Sequence, residues 1–156
     1  MRDRREPADP GGRLTDVVCN ERRSWIMSRV KSADTSPELA VRSMVHRLGY
    51  RFRLHRRDLP GAPDLVFPRY KKVVFVHGCF WHGHACPRGG RIPASNRDYW
   101  LAKMERNRIR DGENEARLRE LGWAVLTVWE CELREPEAVS ARLVDFLSGS
   151  GRPVGA

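Results

Sequence analysis

The apolar run Lys72-Val-Val-Phe-Val76 passes straight into His77-Gly-Cys79-Phe-Trp-His82-Gly-His84-Ala-Cys86, and this junction constrains the chain more than any other feature. An apolar run without alternation reads as a strand covered on both faces, so the sheet needs a layer on either side. The ten residues from His77 hold three of the five histidines and two of the four cysteines. That density of nitrogen and sulfur donors suits a tetrahedral metal site, with up to three ligands from one short loop. Cys131, at the end of a later strand, is a candidate for the fourth. Spacing alone does not say which of His77, His82 and His84 are ligands. Buried cysteines beside surface histidines are the ordinary alternative, but Cys-x4-His-x-Cys is a rarer pattern and favours metal. Cys19 stands apart and takes no role.

Periodicity places the other elements around this strand. Ser36-Pro37-Glu38 reads as a helix start, with Val41, Met44, Val45 and Leu48 at helical spacing and Gly49 as the stop. Tyr50, Phe52 and Leu54 alternate with Arg51 and Arg53 as in a half-buried strand. Leu59-Pro-Gly-Ala-Pro63 turns the chain into a short strand, Asp64–Phe67. Ser95 or Asn96 caps a long helix reaching Leu121, with Gly122 just beyond. Trp123–Trp129 is a fourth strand and Pro136–Leu147 a last helix. The order αβββαβα predicts a mixed α/β domain, a central sheet flanked by helices. Residues 22–147 form its single domain, 1–21 a flexible basic tail and 148–156 a disordered end.

Charge narrows the partner. Through residue 110 the chain has 24 basic and 11 acidic side chains, and after it 5 and 9, within a total of +9. Such an imbalance favours a polyanion, because neutralised phosphates release counterions. An excess of Arg over Lys also follows from base composition, so charge alone gives nucleic acid a modest preference. The longest apolar runs fall far short of a membrane span. Residues 1–7 carry charges with no apolar stretch after them, so a secretory signal is not expected. Without one, metal binding or free thiols are expected of the cysteines rather than disulfides.

Asp64 opens its strand directly after Pro-Gly-Ala-Pro; a carboxylate there can hold Mg²⁺ for phosphodiester hydrolysis, although Asp beside Pro and Gly is also an ordinary turn former. On the long helix Trp100, Met104, Leu118 and Leu121 share one stripe, and Asn107 and Asp111 fall on it too. A carboxylate on an apolar face needs a partner; His82 is the candidate, and an Asp–His pair orients an imidazole as a general base. A bend at Gly112 would instead return Asp111 to water. Phe80, Trp81 and Trp100 either wedge between bases or pack in a core, while Trp123 and Trp129 belong to the core. Glu38 and Met27 are uninformative alone.

Taken together, Met27–Glu38, Leu59-Pro-Gly-Ala-Pro-Asp64, Phe75-Val-His77-Gly-Cys-Phe-Trp-His82, Trp100, Asn107, Asp111 and Leu121–Cys131 resemble the very-short-patch repair endonucleases, in register from about residue 22 to 147. The resemblance implies a restriction-endonuclease-like fold with a structural zinc site. It implies a Mg²⁺-dependent enzyme that nicks the T strand 5′ to the T of a T·G mismatch left by 5-methylcytosine deamination, after which a DNA polymerase resynthesises a short patch. Carried over residue by residue, Asp64 and the main-chain carbonyl of Val76 hold magnesium. His82 is the general base with Asp111 its partner, and His77 and Glu38 support them. Cys79, His84, Cys86 and Cys131 hold zinc; Phe80, Trp81 and Trp100 enter the DNA from the major groove and Met27 from the minor. A monomeric bacterial cytoplasmic enzyme is expected, with mismatch-repair proteins as possible helpers. The chain lacks the Glu-x-Lys that follows the first Asp in related nucleases; His77 stands in that neighbourhood. Gly83 and Ala85 replace further histidines, neither an expected ligand.

Overall fold

The computed structural model describes residues 24, 25, 28, 29 and 32–149. Cys19, Met27 and the expected tails, apart from Ser148 and Gly149, lie outside the described residues. The chain divides into two units, Met1–Thr35 and Ser36–Ala156. In the first, Ser24, Trp25, Ser28 and Arg29 are helical. The Ser28 hydroxyl donates to the Trp25 carbonyl at 2.7 Å, and the Arg29 guanidinium lies 4.2 Å from the Trp25 ring centroid.

The second unit runs α1 (Ser36–Arg47), β1 (Arg53–Leu54), β2 (Leu65–Phe67), β3 (Lys72–His77), α2 (Arg97–Glu120), β4 (Ala124–Trp129) and α3 (Pro136–Ser148), a mixed α/β fold. The sheet order is β1-β2-β3-β4, antiparallel up to β3 and parallel between β3 and β4. All six residues of β3 are buried, as an unalternating apolar strand requires. Its even and odd positions feed different cores. Val74 and Val76 pack with Leu65, Phe67 and Val128 against Val41, Met44 and Val45 of α1 and Val139, Leu143 and Leu147 of α3. Val73 and Phe75 pack with Val66, Leu59 and Trp123 against Leu118 of α2. Among the described residues no helix is long and apolar enough to cross a membrane.

Three apolar side chains depart from expectation. The strand expected from Tyr50 narrows to Arg53–Leu54, and His55, with a left-handed backbone (φ +45°), follows its last pair. Tyr50 and Phe52 still face inward, edge-on to Tyr70 and Phe67 at 5.9 and 6.2 Å, but Leu54 is left exposed. Leu48 lies in the turn after α1, and Leu121 caps α2 with 57% of its surface exposed, because the helix ends before completing the turn that would bury it. Helix α2 runs unbroken through Gly112.

The buried Lys72 ends α3. Its ammonium donates to the carbonyls of Phe146 (2.6 Å), Leu147 (3.4 Å) and Gly149 (2.5 Å), acceptors left over at a helix C-terminus where a cation is favoured. Lys72→Met should therefore lower unfolding stability by about 1–3 kcal/mol in urea titration; unchanged stability would show that the cap contributes nothing.

Candidate active site and metal centre

The loop after β3 is wound tightly: His82 N–H donates to the Gly78 carbonyl (3.3 Å) and His84 N–H to that of Cys79 (3.0 Å), with Gly83 at φ +61°. This winding sends successive side chains to different clusters. Cys79, His84, Cys86 and Cys131 form one, with one ligand atom from each within 4.8 Å of the others. Four atoms around a tetrahedral ion at roughly 2.0–2.3 Å have comparable separations, so this donor set can hold a metal ion. The sulfurs are already oriented by main-chain donors, Cys131 N–H to Cys79 Sγ (3.4 Å) and Gly89 N–H to Cys86 Sγ (3.3 Å). The Gly89 bond draws the Cys86 thiol down to about 6, whereas burial pushes the Cys79 thiol up to about 12. Of the three histidines that spacing left open, His84 joins this group.

His77 and His82 join Asp111 instead. His82 Nδ1 lies 2.5 Å from Asp111 Oδ2, with each side chain about one-fifth exposed. Burial opposes ionisation of Asp111, but the hydrogen bond and charge of His82 outweigh it and hold the carboxyl below its usual range. The His77 ring stacks on His82 at 3.8 Å and 2°, and burial, followed by the neighbouring His82, pushes its pKa down to about 4. Trp129 is not the simple core residue expected. Its ring lies flat on His84 (4.2 Å, 13°) and edge-on to His77 (5.3 Å, 73°), so it joins the two clusters.

Asp64 sits immediately before β2. The β2–β3 ladder ends at Leu65↔Val74, and Val76 N–H beyond it donates to Asp64 Oδ2 at 2.7 Å. Burial raises the Asp64 pKa to about 6, against the Val76 bond; Glu38 adds to the rise and His55 and Arg42 oppose it. Glu38, buried in the first turn of α1, accepts from Arg42 at 3.0 Å. Arg42 and His55 escaped the sequence reading. The i,i+4 spacing of Glu38 and Arg42 was the available signal for the arginine; His55 had none, since only the β1–β2 pairing, continued one step past Leu54↔Leu65, sets it opposite Asp64.

The aromatics form a single edge-to-face group: Phe80–Trp81 at 5.0 Å, Phe80–Trp100 at 5.5 Å and Trp81–Trp100 at 6.2 Å. Trp100 is buried; Phe80 and Trp81 are half-buried. Asn107 amide Nδ2 donates to the Trp81 carbonyl at 2.8 Å, which gives that polar group on the α2 stripe its partner. Sequence reading missed Tyr99, edge-on to Trp100 at 5.3 Å, and Lys103, whose ammonium lies 5.5–5.9 Å from the rings of Trp81, Trp100 and Tyr99.

Comparison with known proteins identifies the family. The family described as DNA mismatch endonuclease Vsr matches residues 15–88. A type II nicking enzyme of Xanthomonas oryzae pv. oryzae is 55% identical over 137 residues, covering 88% of this chain and all of the relative. A type II nicking enzyme of Neisseria meningitidis serogroup A is 43% identical, covering 83% of this chain and 92% of its own. The DNA mismatch endonuclease Vsr of Escherichia coli K12 is 40% identical over 143 residues, 88% of this chain and 91% of its own. With 40–55% identity over more than four-fifths of this chain and nearly the full length of each relative, the chain belongs to the Vsr family of DNA mismatch endonucleases.

Proposed function

We propose that the enzyme is a magnesium-dependent nickase of restriction-endonuclease-like fold. In this reading it cuts the T strand 5′ to the T of a T·G mismatch produced by 5-methylcytosine deamination, and a DNA polymerase then resynthesises a short patch. The observation that carries the reading is the His82–Asp111 bond. With Nδ1–H donated to the carboxylate, the lone pair of His82 is on Nε2, where it can take a proton from water. His77 packs the face of that ring, and Glu38 holds Arg42, whose charge favours ionised Asp64, through their hydrogen bond.

The oxygen donors near Asp64 fit a hard divalent cation: the carboxylate and the Val76 carbonyl, which leaves the strand on the same edge as its N–H. Burial penalises the ionised carboxylate there, and a bound cation relieves that penalty. Magnesium at this site would stabilise the charge that develops on the phosphate during hydrolysis. The Cys79, His84, Cys86 and Cys131 set suits zinc, and a site with all four positions filled by protein is structural. Phe80, Trp81 and Trp100, with Met27 from the opposite groove, would part the stack at the mispair, where pairing is already weakened. The basic region draws the duplex in.

Purified enzyme with Mg²⁺ should nick only the T strand of end-labelled T·G duplexes, leaving T·A duplexes uncut; equal cutting of both would replace repair with restriction. Asp64→Asn should abolish nicking yet keep duplex binding. Its stability should move the other way. The folded pKa of about 6 lies above the ordinary 3.8, so ionising Asp64 erodes stability as pH rises between those values, and the full penalty applies above 6. In metal-free solution at pH 7.5 the Asn variant should thus be more stable, by up to about 3 kcal/mol. A variant no more stable than the parent would contradict the buried, strained carboxylate.

Cys131→Ala should carry well under one zinc per chain by elemental analysis and melt at a lower temperature, whereas full zinc content would remove this cysteine from the site. Trp81→Ala should lose about 10–100-fold in T·G nicking, the worth of one base–aromatic stack, and far less in any residual cutting of paired DNA. Equal losses on both substrates would mean that the ring serves folding rather than mismatch sensing.

A further inference from the structure

On the β1 side of Asp64 stand Arg42 and His55. Arg42 Nη2 lies 3.0 Å from Glu38 Oε2 and 2.8 Å from His55 Nε2, so the two hydrogens of one nitrogen match two acceptors. A guanidinium has donors only. His55 Nε2 must therefore present its lone pair, which puts the ring proton on Nδ1. Nδ1 is the nitrogen that faces Asp64, 4.0 Å from Oδ1. Because Asp64 Oδ2 already accepts from Val76 N–H, Oδ1 is the oxygen turned to His55.

We propose that His55 is a positioning residue for nicking: Arg42 fixes its ring as an Nδ1–H donor, and that N–H orients oxygen atoms at Asp64 instead of the ring serving as a metal ligand. The separation of 4.0 Å is too long for a direct hydrogen bond. An oxygen seated between the two, a water or a phosphate oxygen of the DNA, would accept from it and reach the carboxylate. The backbone supports a specific purpose. His55 holds φ +45°, a left-handed conformation that costs a non-glycine residue about 1 kcal/mol or more, and it does so one residue beyond the last β1–β2 pair, where the turn brings its ring beside Asp64. The inference rests on the reading of Asp64 as the magnesium carboxylate.

Two measurements test it. Long-range ¹H–¹⁵N spectra of histidine-labelled protein without added magnesium should show His55 protonated on Nδ1 and bare on Nε2, the signal being assigned by its loss in His55→Asn. An Nε2–H tautomer overturns the proposal. In single-turnover nicking across a magnesium titration, His55→Gly, which relieves the backbone and removes the donor, should lose about 10–100-fold in rate or in half-saturating magnesium, the usual cost of losing a residue behind a metal ligand. Its DNA affinity should stay unchanged. His55→Asn tolerates the left-handed backbone and places an amide N–H near the position of Nδ1, so it should recover most of that loss; Asn and Gly variants with equal rates overturn the proposal. Failure of the underlying reading looks different: Asp64→Asn would then nick normally, whatever the tautomer of His55.

Discussion

The parallel pairing of β3 with β4 is the constraint on which the rest of the site depends. Its register sets His77 opposite Trp129, so the residues two steps past each strand end, Cys79 and Cys131, meet with the N–H of one on the sulfur of the other. Distant cysteines thus reach one donor cluster because main-chain hydrogen bonds have already brought them there. A donor set assembled this way ties the loop to the sheet, and the same loop carries His82. Burial of β3 on both faces keeps the pairing rigid, since a shift by one residue would send Val73 and Phe75 into the wrong core.

Two carboxylates near the end of this strand are driven in opposite directions. Burial lifts Asp64 towards neutrality, while Asp111, also partly buried, stays ionised because His82 answers its charge. Environments that separate like groups in this way assign them different work. Asp111 is matched to a proton carrier. Among the described residues Asp64 has its Val76 N–H at hydrogen-bond distance and more distant charges around it, an arrangement suited to receiving a cation.

Much of this was legible in the sequence, for definite reasons. The unalternating run at Lys72–Val76 and the Gly stops located strands and helices, and Asp111 on an apolar stripe called for a partner that His82 supplies. The choice among His77, His82 and His84 could not come from spacing, because a tightly wound loop sends neighbouring side chains to different clusters. Leu54 and Trp129 were misjudged where local pattern yielded to tertiary demands: a left-handed turn at His55 freed one from the core, and two imidazoles drew the other out of it. Arg42 had a local signature, four residues after Glu38 on one helix, that went unused. His55 matters only through the pairing of β1 with β2, a fact of topology rather than composition.

Helix α2 bears Trp100 in its first turn and Asp111 three turns later on the same stripe, with no break between. At 1.5 Å per residue the two are about 16 Å apart along the axis. The helix therefore works as a ruler between the aromatic group that would part the bases and the pair that would draw the proton. A ruler built this way also has phase: one residue inserted between these positions rotates everything beyond it by about 100°, taking Asp111 away from His82. Under the proposed roles, a change in this stretch that kept the count would keep the two sites in phase, and the distance from mismatch to nick would follow from the length of one helix.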